Sequence, residues 1–160
     1  MPFRVLTVCT GNVCRSPSAE AILRQRLAAA GLGAAVEVDS AGTADYHLGE
    51  LPSEPAVRLG ARRGYDLTPL RARQVAAADF DAFDLMLAMD RGHLRHLTAL
   101  QPAGSRVQVR LFLELFPQAG SEVADPYFRG DAAYAAMFDV LEAATPAWIA
   151  HLRDSLRAPA

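Results

Sequence analysis

Phe3 to Glu20 reads F-R-V-L-T-V-C-T-G-N-V-C-R-S-P-S-A-E, and the three parts of this stretch decide the fold. Phe3 to Cys9 is an apolar, β-branched run, short enough for a strand buried on both faces. Thr10 to Arg15 is a loop. Ser16-Pro17-Ser18-Ala19-Glu20 carries the marks of a helix start: Ser16 as N-cap, Pro17 at the first helical position, Glu20 adding acidic charge to the first turn. Ala21, Ile22, Leu23 and Leu27 continue that helix to a stop at Gly31.

The same alternation runs through the rest of the chain. Strands are expected at Ala35–Asp39 (ended by Ser40-Ala41-Gly42), Asp84–Met89 and Arg106–Leu111. Helices are expected at Glu54–Gly64, Arg91–Leu100 and Asp131 to about Leu156. In the last of these, Phe138, Leu141, Trp148, Ile149 and Leu152 supply a buried face, and Pro146 should break or kink it. Strands alternating with helices predict an α/β fold: a single domain over residues 1–160, three layers (α/β/α), a four-stranded parallel sheet and a phosphate-binding loop after the first strand. Ligands of such folds sit beyond the C-terminal ends of the strands, where the Cys9 loop lies. Thr43–Pro52 and Pro117–Asp131 are the longest irregular stretches.

Composition narrows the function classes. A net charge of −2 gives no general reason to expect nucleic acid or an anionic membrane as partner. All 16 basic residues are Arg, which together with abundant Ala reads as compositional bias. No stretch approaches the ~20 apolar residues of a membrane span, and the N-terminus lacks a signal-peptide pattern. Two cysteines, Cys9 and Cys14, build neither a disulfide framework nor a Cys-rich zinc site. A reducing, cytoplasmic setting is the expectation. His93 and His96 read as a helix-surface pair, and neither His47 nor His151 adds metal-ligand spacing.

Cys9 and Arg15 stand six positions apart in a strand-to-helix loop, an arrangement suited to a phosphate dianion. The N–H groups of Thr10, Gly11, Asn12, Val13 and Cys14 can converge on its oxygens, and the helix N-terminus adds partial positive charge. Gly11 permits an unusual backbone angle or a close approach. Arg15 can grip two oxygens at once, which Lys could not. The same field favours a thiolate over a thiol, so Cys9 is expected to attack phosphorus in line. Ser16 can donate a hydrogen bond to that sulfur, easing its departure. A Walker-type nucleotide loop is excluded because the chain has no G-K-[ST].

Val8 to Glu20 resembles the signature of the low-molecular-weight protein tyrosine phosphatases. S-A-G-T followed by H-x-G (Ser40 to Gly49), A-M-D (Ala88 to Asp90) and D-P-Y (Asp125 to Tyr127) match in family order. The resemblance implies metal- and cofactor-independent hydrolysis of phosphotyrosine through a phosphocysteine on Cys9. Asp125 would then be the acid that protonates the leaving oxygen and the base that activates water. Pro126 fits, since it holds Asp125 extended on an exposed loop. By the same resemblance Asn12, Ser16 and Ser40 hold the loop in a strained shape, with Arg71 where many members carry His. Tyr46, Tyr127 and Phe128 flank the pocket mouth, and Cys14 can form a protective disulfide with Cys9. The implied partners are a tyrosine-phosphorylated protein and an oxyanion in the loop, with the chain a monomer or weak dimer.

Three rival readings are weaker. Thioredoxin-coupled arsenate reduction needs cysteines downstream of Cys14, and there are none. Phosphoarginine hydrolases of the family carry Thr where Val13 stands, and Val13 suits an aromatic ring. A silent phosphate binder would not need Cys9, Arg15 and Asp125 together.

Overall fold

The computed structural model describes residues 1–157, so the last three positions of the expected 1–160 unit lie outside the described residues. Four strands, β1 (Phe3–Cys9), β2 (Val36–Gly42), β3 (Leu85–Ala88) and β4 (Gln108–Leu111), form one parallel sheet in the order β2-β1-β3-β4. β1 pairs with β2 from Phe3↔Val36 to Cys9↔Gly42 and with β3 from Val5↔Leu85 to Val8↔Ala88. Five helices surround it: α1 (Arg15–Ala29), α2 (Glu54–Arg62), the short α3 (Asp79–Ala82), α4 (Arg91–Leu100) and α5 (Asp131–Arg157).

The two-residue period of the strands splits the core into the two outer layers. Val5, Cys9, Leu85 and Leu87 face the side filled by Ile22, Leu23 and Leu27 of α1 and Phe138, Leu141 and Trp148 of α5. Leu6, Val8, Met86 and Ala88 face the side filled by Phe80, Phe83 and Leu97. With both faces covered, β1 buries Val5 to Cys9 without a break, which is why its sequence reads as a continuous apolar run.

Four expectations are corrected. Ser40, Ala41 and Gly42 do not end the second strand but are its last paired residues. Gly42 is needed there, because a Cβ would lie 2.5 Å from the Thr10 carbonyl oxygen. Ser16 is not the N-cap: α1 starts one residue earlier, Cys14 is the cap residue, and no side chain caps it. Glu20 consequently falls outside the first turn and is buried. Pro146 does not break α5, which runs through it with the ring on the exposed face, away from the core positions. The ends of β1 and α4 fall where the sequence puts them.

The order β2-β1-β3-β4 places a crevice between the ends of β1 and β3, where successive crossovers leave in opposite directions. Cys9 closes β1 and Asp90 follows β3, so both meet at that crevice. Among the described residues, no helix is long and apolar enough to cross a membrane.

Candidate active site

Cys9 is buried at the C-terminal tip of β1, and the loop after it turns its carbonyls away from the crevice. The Cys9 carbonyl accepts from Thr43 N (2.8 Å), that of Thr10 from Ala44 N (3.0 Å) and that of Val13 from Ser53 N (2.8 Å). The Cys14 carbonyl accepts from Ser18 Oγ at 2.6 Å. Among the described residues no hydrogen bond takes the N–H groups of Gly11, Asn12, Val13 or Cys14, leaving a concave set of donors at a helix N-terminus.

The bend that produces this set falls at Asn12, with φ of 57°, not at Gly11. Gly11 serves close approach instead: a Cβ there would lie 2.8 Å from His47 Cδ2. Asn tolerates the left-handed region better than most residues, and here three contacts hold it there. Asn12 Nδ2 donates to Ser16 Oγ (2.8 Å) and Ser40 Oγ (2.9 Å), and its Oδ1 accepts from Arg73 N at 3.0 Å. Ser16 Oγ lies 3.0 Å from Cys9 Sγ. Ser40 Oγ donates to Glu20 Oε1 at 2.7 Å, so a buried carboxylate anchors the network. Burial pushes the Glu20 pKa up, while the Ser40 hydrogen bond and the Arg24 ion pair work the other way.

Arg15 is 3% exposed, and its guanidinium is aimed by Nη1. That nitrogen donates to Asp90 Oδ2 and the Val123 carbonyl, both at 3.0 Å. Nε is buried with no acceptor among the described residues, and Nη2 lies 3.6 Å from Asp125 Oδ2. Two donor directions of the fork are therefore free for an oxyanion. Burial works against the charge on Asp90, but the His93 N–H, the nearby His93 ring and Arg15 hold its carboxyl below the usual range. Asp125 is half-exposed, and its Oδ1 accepts from Tyr127 N at 3.1 Å, which turns the carboxylate toward the crevice mouth.

These groups surround a cavity of about 300 Å³. Cys9, Thr10, Gly11, Val13, Cys14 and Arg15 form its floor, and Tyr46, His47, Asp125, Tyr127 and Phe128 its rim. Tyr127 stacks at a tilt on Phe128 (ring centroids 4.2 Å apart) and meets His47 edge-on at 5.6 Å. Tyr46 and Phe128 are strongly exposed, and Phe128 has φ of 64°. Asn12, Ser16 and Ser40 do not line the cavity; they lie beneath the loop. A larger cavity of about 550 Å³, lined by Arg4, Arg24, Val36 and Phe83, lies at the outer β2 edge and brings no nucleophile and acid together.

A family profile, Low molecular weight phosphotyrosine protein phosphatase, matches residues 4–158. The chain belongs to that family. It is 40% identical over 160 residues to a low molecular weight protein-tyrosine-phosphatase of Streptomyces coelicolor, covering 98% of this chain and 97% of the relative. A crystal structure of a protein tyrosine phosphatase from Entamoeba histolytica, with Hepes in the active site, superposes with a TM-score of 0.91 at 31% identity, covering 96% and 98% of the two chains. Vibrio vulnificus Wzb in complex with benzylphosphonate superposes with a TM-score of 0.81 at 27% identity, covering 94% and 99%.

Within this low molecular weight phosphatase, Arg71 stands apart from the loop network, and one sequence expectation, that for His93, fails on position. Arg71 is exposed, donates to the Thr68 and Leu70 carbonyls and does not touch the Asn12 network; the backbone of Arg73 does. His93 is not a surface residue: it is 4% exposed and its Nε2 lies 2.8 Å from Thr10 Oγ1. Cys14 is buried too, with Sγ 3.3 Å from Tyr134 Oη and 3.4 Å from Ser53 Oγ. Burial pushes its thiol pKa up, against the pull of Ser53 and Tyr134. Sequence reasoning gave no role in the site to Glu20, Asp90, His47, His93 or Tyr134. Asp90 had a readable signal, since it follows a predicted strand at the ligand edge of the sheet.

Proposed function

We propose that this protein-tyrosine phosphatase works through Cys9, Arg15 and Asp125 on phosphotyrosine of protein substrates. The observation that carries the reading is the set of loop N–H groups, Gly11 to Cys14, unpaired among the described residues, in the loop that joins Cys9 to Arg15 at the floor of one crevice. Such a set favours a tetrahedral dianion and, more strongly, the charge that develops on its oxygens during transfer.

In the first step Cys9 Sγ attacks phosphorus, the P–O bond to tyrosine breaks, and Asp125 gives its proton to the departing phenolic oxygen. In the second, Asp125 takes a proton from water as the hydroxide attacks phosphorus and the P–S bond breaks. Inorganic phosphate leaves and Cys9 is restored. Ser16 Oγ, 3.0 Å from Sγ, eases that departure by hydrogen-bonding the sulfur anion. Thr10, Gly11, Asn12, Val13 and Cys14 hold the phosphoryl oxygens, while Tyr46, Tyr127 and Phe128 flank the substrate ring. The apolar Val13 side chain in the floor favours an aryl over a guanidino substrate, and the benzylphosphonate of the Vibrio neighbour, an aromatic ring beside a phosphonate, suits that preference. Action as one domain, residence in the cytoplasm and protection of Cys9 by a disulfide to Cys14 belong to the same reading.

Hydrolysis of p-nitrophenyl phosphate with EDTA present, compared between the wild type and Cys9→Ser, tests it. The reading expects metal-independent turnover that the variant lacks. Equal rates in the two proteins would overturn it.

A further inference from the structure

The first turn of α4 reaches the phosphate loop with two arms, of which the second has no assigned purpose. Asp90, the N-cap of α4, accepts from His93 N at 2.9 Å through Oδ1 and holds Arg15 Nη1 at 3.0 Å through Oδ2. Its first arm therefore fixes the C-terminal end of the Cys9–Arg15 loop. His93, one turn on, points its ring at the other end, with Nε2 2.8 Å from the hydroxyl of Thr10, the residue that follows the nucleophile.

The protonation state of the ring follows from its surroundings. Nδ1 lies 3.2 Å from Asp90 Oδ1 without a hydrogen bond to it among the described residues, and the Asp90 charge beside it favours the proton of a neutral ring on Nδ1, with Nε2 as the acceptor. Thr10 must then donate. The groups that act on the ring are Arg15, Asp90, Asp125 and His96; burial first and Arg15 second lower the His93 pKa to about 4, against the pull of the two aspartates. The ring is thus neutral across the range where a phosphatase of this type would be assayed.

We propose that His93 is a positioning residue of the phosphatase: by accepting the Thr10 hydroxyl it fixes the near end of the phosphate loop, as Asp90 fixes the far end through Arg15. The N–H groups of Gly11 to Cys14 have no partners among the described residues, so their direction depends on what holds the backbone. The Asn12 network restrains the middle of the loop from below. The Thr10 carbonyl is held by Ala44 N at 3.0 Å. The Thr10 side chain on His93 adds a side-chain constraint at the residue that follows Cys9. His93 touches neither Cys9 nor the cavity, so its effect reaches the oxyanion through Thr10 and, by way of Asp90, through Arg15.

This inference rests on the phosphatase reading, and two readouts separate the failure of one from the failure of the other. Orthovanadate binding by calorimetry reads the loop alone; p-nitrophenyl phosphate turnover reads the chemistry. Thr10→Val and His93→Leu are each expected to weaken vanadate binding and lower kcat/KM about tenfold, the size of one buried hydrogen bond lost. Thr10→Ser, which keeps the hydroxyl that His93 accepts, should lose clearly less than Thr10→Val in both readouts. His93→Gln should recover most of the loss because its amide reaches the place of Nε2; His93→Asn should not, because its amide reaches only the place of Nδ1. In the Thr10→Val/His93→Leu double variant the losses should not add. The inference is overturned if Thr10→Val binds vanadate like the wild type, if Asn rescues as well as Gln, or if the two losses add. Wild type that binds vanadate without turnover would overturn the phosphatase reading, and the variant series would still decide on His93; wild type that does neither overturns both. Should His93→Leu fail to fold, the Thr10→Val and Thr10→Ser pair decides alone.

Discussion

Asn12 and Asp125 show how differently single residues contribute to this site. Asn12 sits at φ of 57° with all three of its polar contacts made inside the protein, so its purpose is the shape of the loop. Ala at that position would carry the left-handed strain of about 1 kcal/mol and leave Ser16 and Ser40 short of a partner, at about 1 kcal/mol or more each. Asn12→Ala is expected to unfold about 2–4 kcal/mol more easily in urea and to bind phosphate more weakly. Asp125 is half-exposed and makes a local turn contact and a long, 3.6 Å approach to Arg15, so its loss should cost little stability. Asp125→Ala should instead lower kcat on phosphotyrosine peptides by about 10²–10⁴, the range of a positioned proton donor. The loss on p-nitrophenyl phosphate should be much smaller, because p-nitrophenolate leaves without a proton. Equal losses on the two substrates would contradict the role given to Asp125.

At the scale of elements, β1 and the presence of α1 after a short loop were legible because one stretch carries a buried strand, a turn and a helical run, while the start of α1 was not, since its cap is Cys14 and no side chain marks it. The end of β2 was not legible. Ser40-Ala41-Gly42 has the composition of a turn, but parallel pairing with the full length of β1 continues the strand to Gly42. That extension delivers Ser40 to Asn12 and brings a glycine against the Thr10 carbonyl. Gly42→Ala is expected to reduce activity sharply, since the clash is with backbone and cannot be relieved by a rotamer change. The course of α5 was misread for the opposite reason. Pro146 is a helix breaker by local propensity, yet tertiary packing of Leu141, Trp148 and Leu152 on either side keeps the helix whole. Because Pro146 is exposed and costs a helical hydrogen bond, Pro146→Ala should stabilise the protein by about 1–3 kcal/mol and raise Tm by several degrees.

Over the whole molecule, what sequence could not show is which distant residues meet beneath the loop. Glu20 reads as a first-turn acid and His93 as a surface residue; only the packing of α1 and α4 against the sheet buries both. Their burial makes stability depend on pH in opposite senses. The His93 pKa is lowered to about 4 from 6.5, so the unfolded chain takes up a proton first. The stability that this residue contributes is present above pH 6.5 and is lost as pH falls toward 4. The Glu20 pKa is raised, so its contribution is present below the ordinary carboxylate range and is lost as pH rises through the raised value. Tm measured from pH 7 down to pH 4 should fall, and His93→Gln should flatten that fall; an unchanged slope in the variant would show that His93 is protonated alike in both states.

The central claim is that the phosphoryl group passes through Cys9. Intact-mass and peptide analysis of the enzyme, quenched in acid during turnover of p-nitrophenyl phosphate, tests this most directly. The account predicts one phosphoryl group per chain, mapped to Cys9 and absent from Cys9→Ser. A turning-over enzyme with no adduct, or with the adduct on another residue, would contradict it.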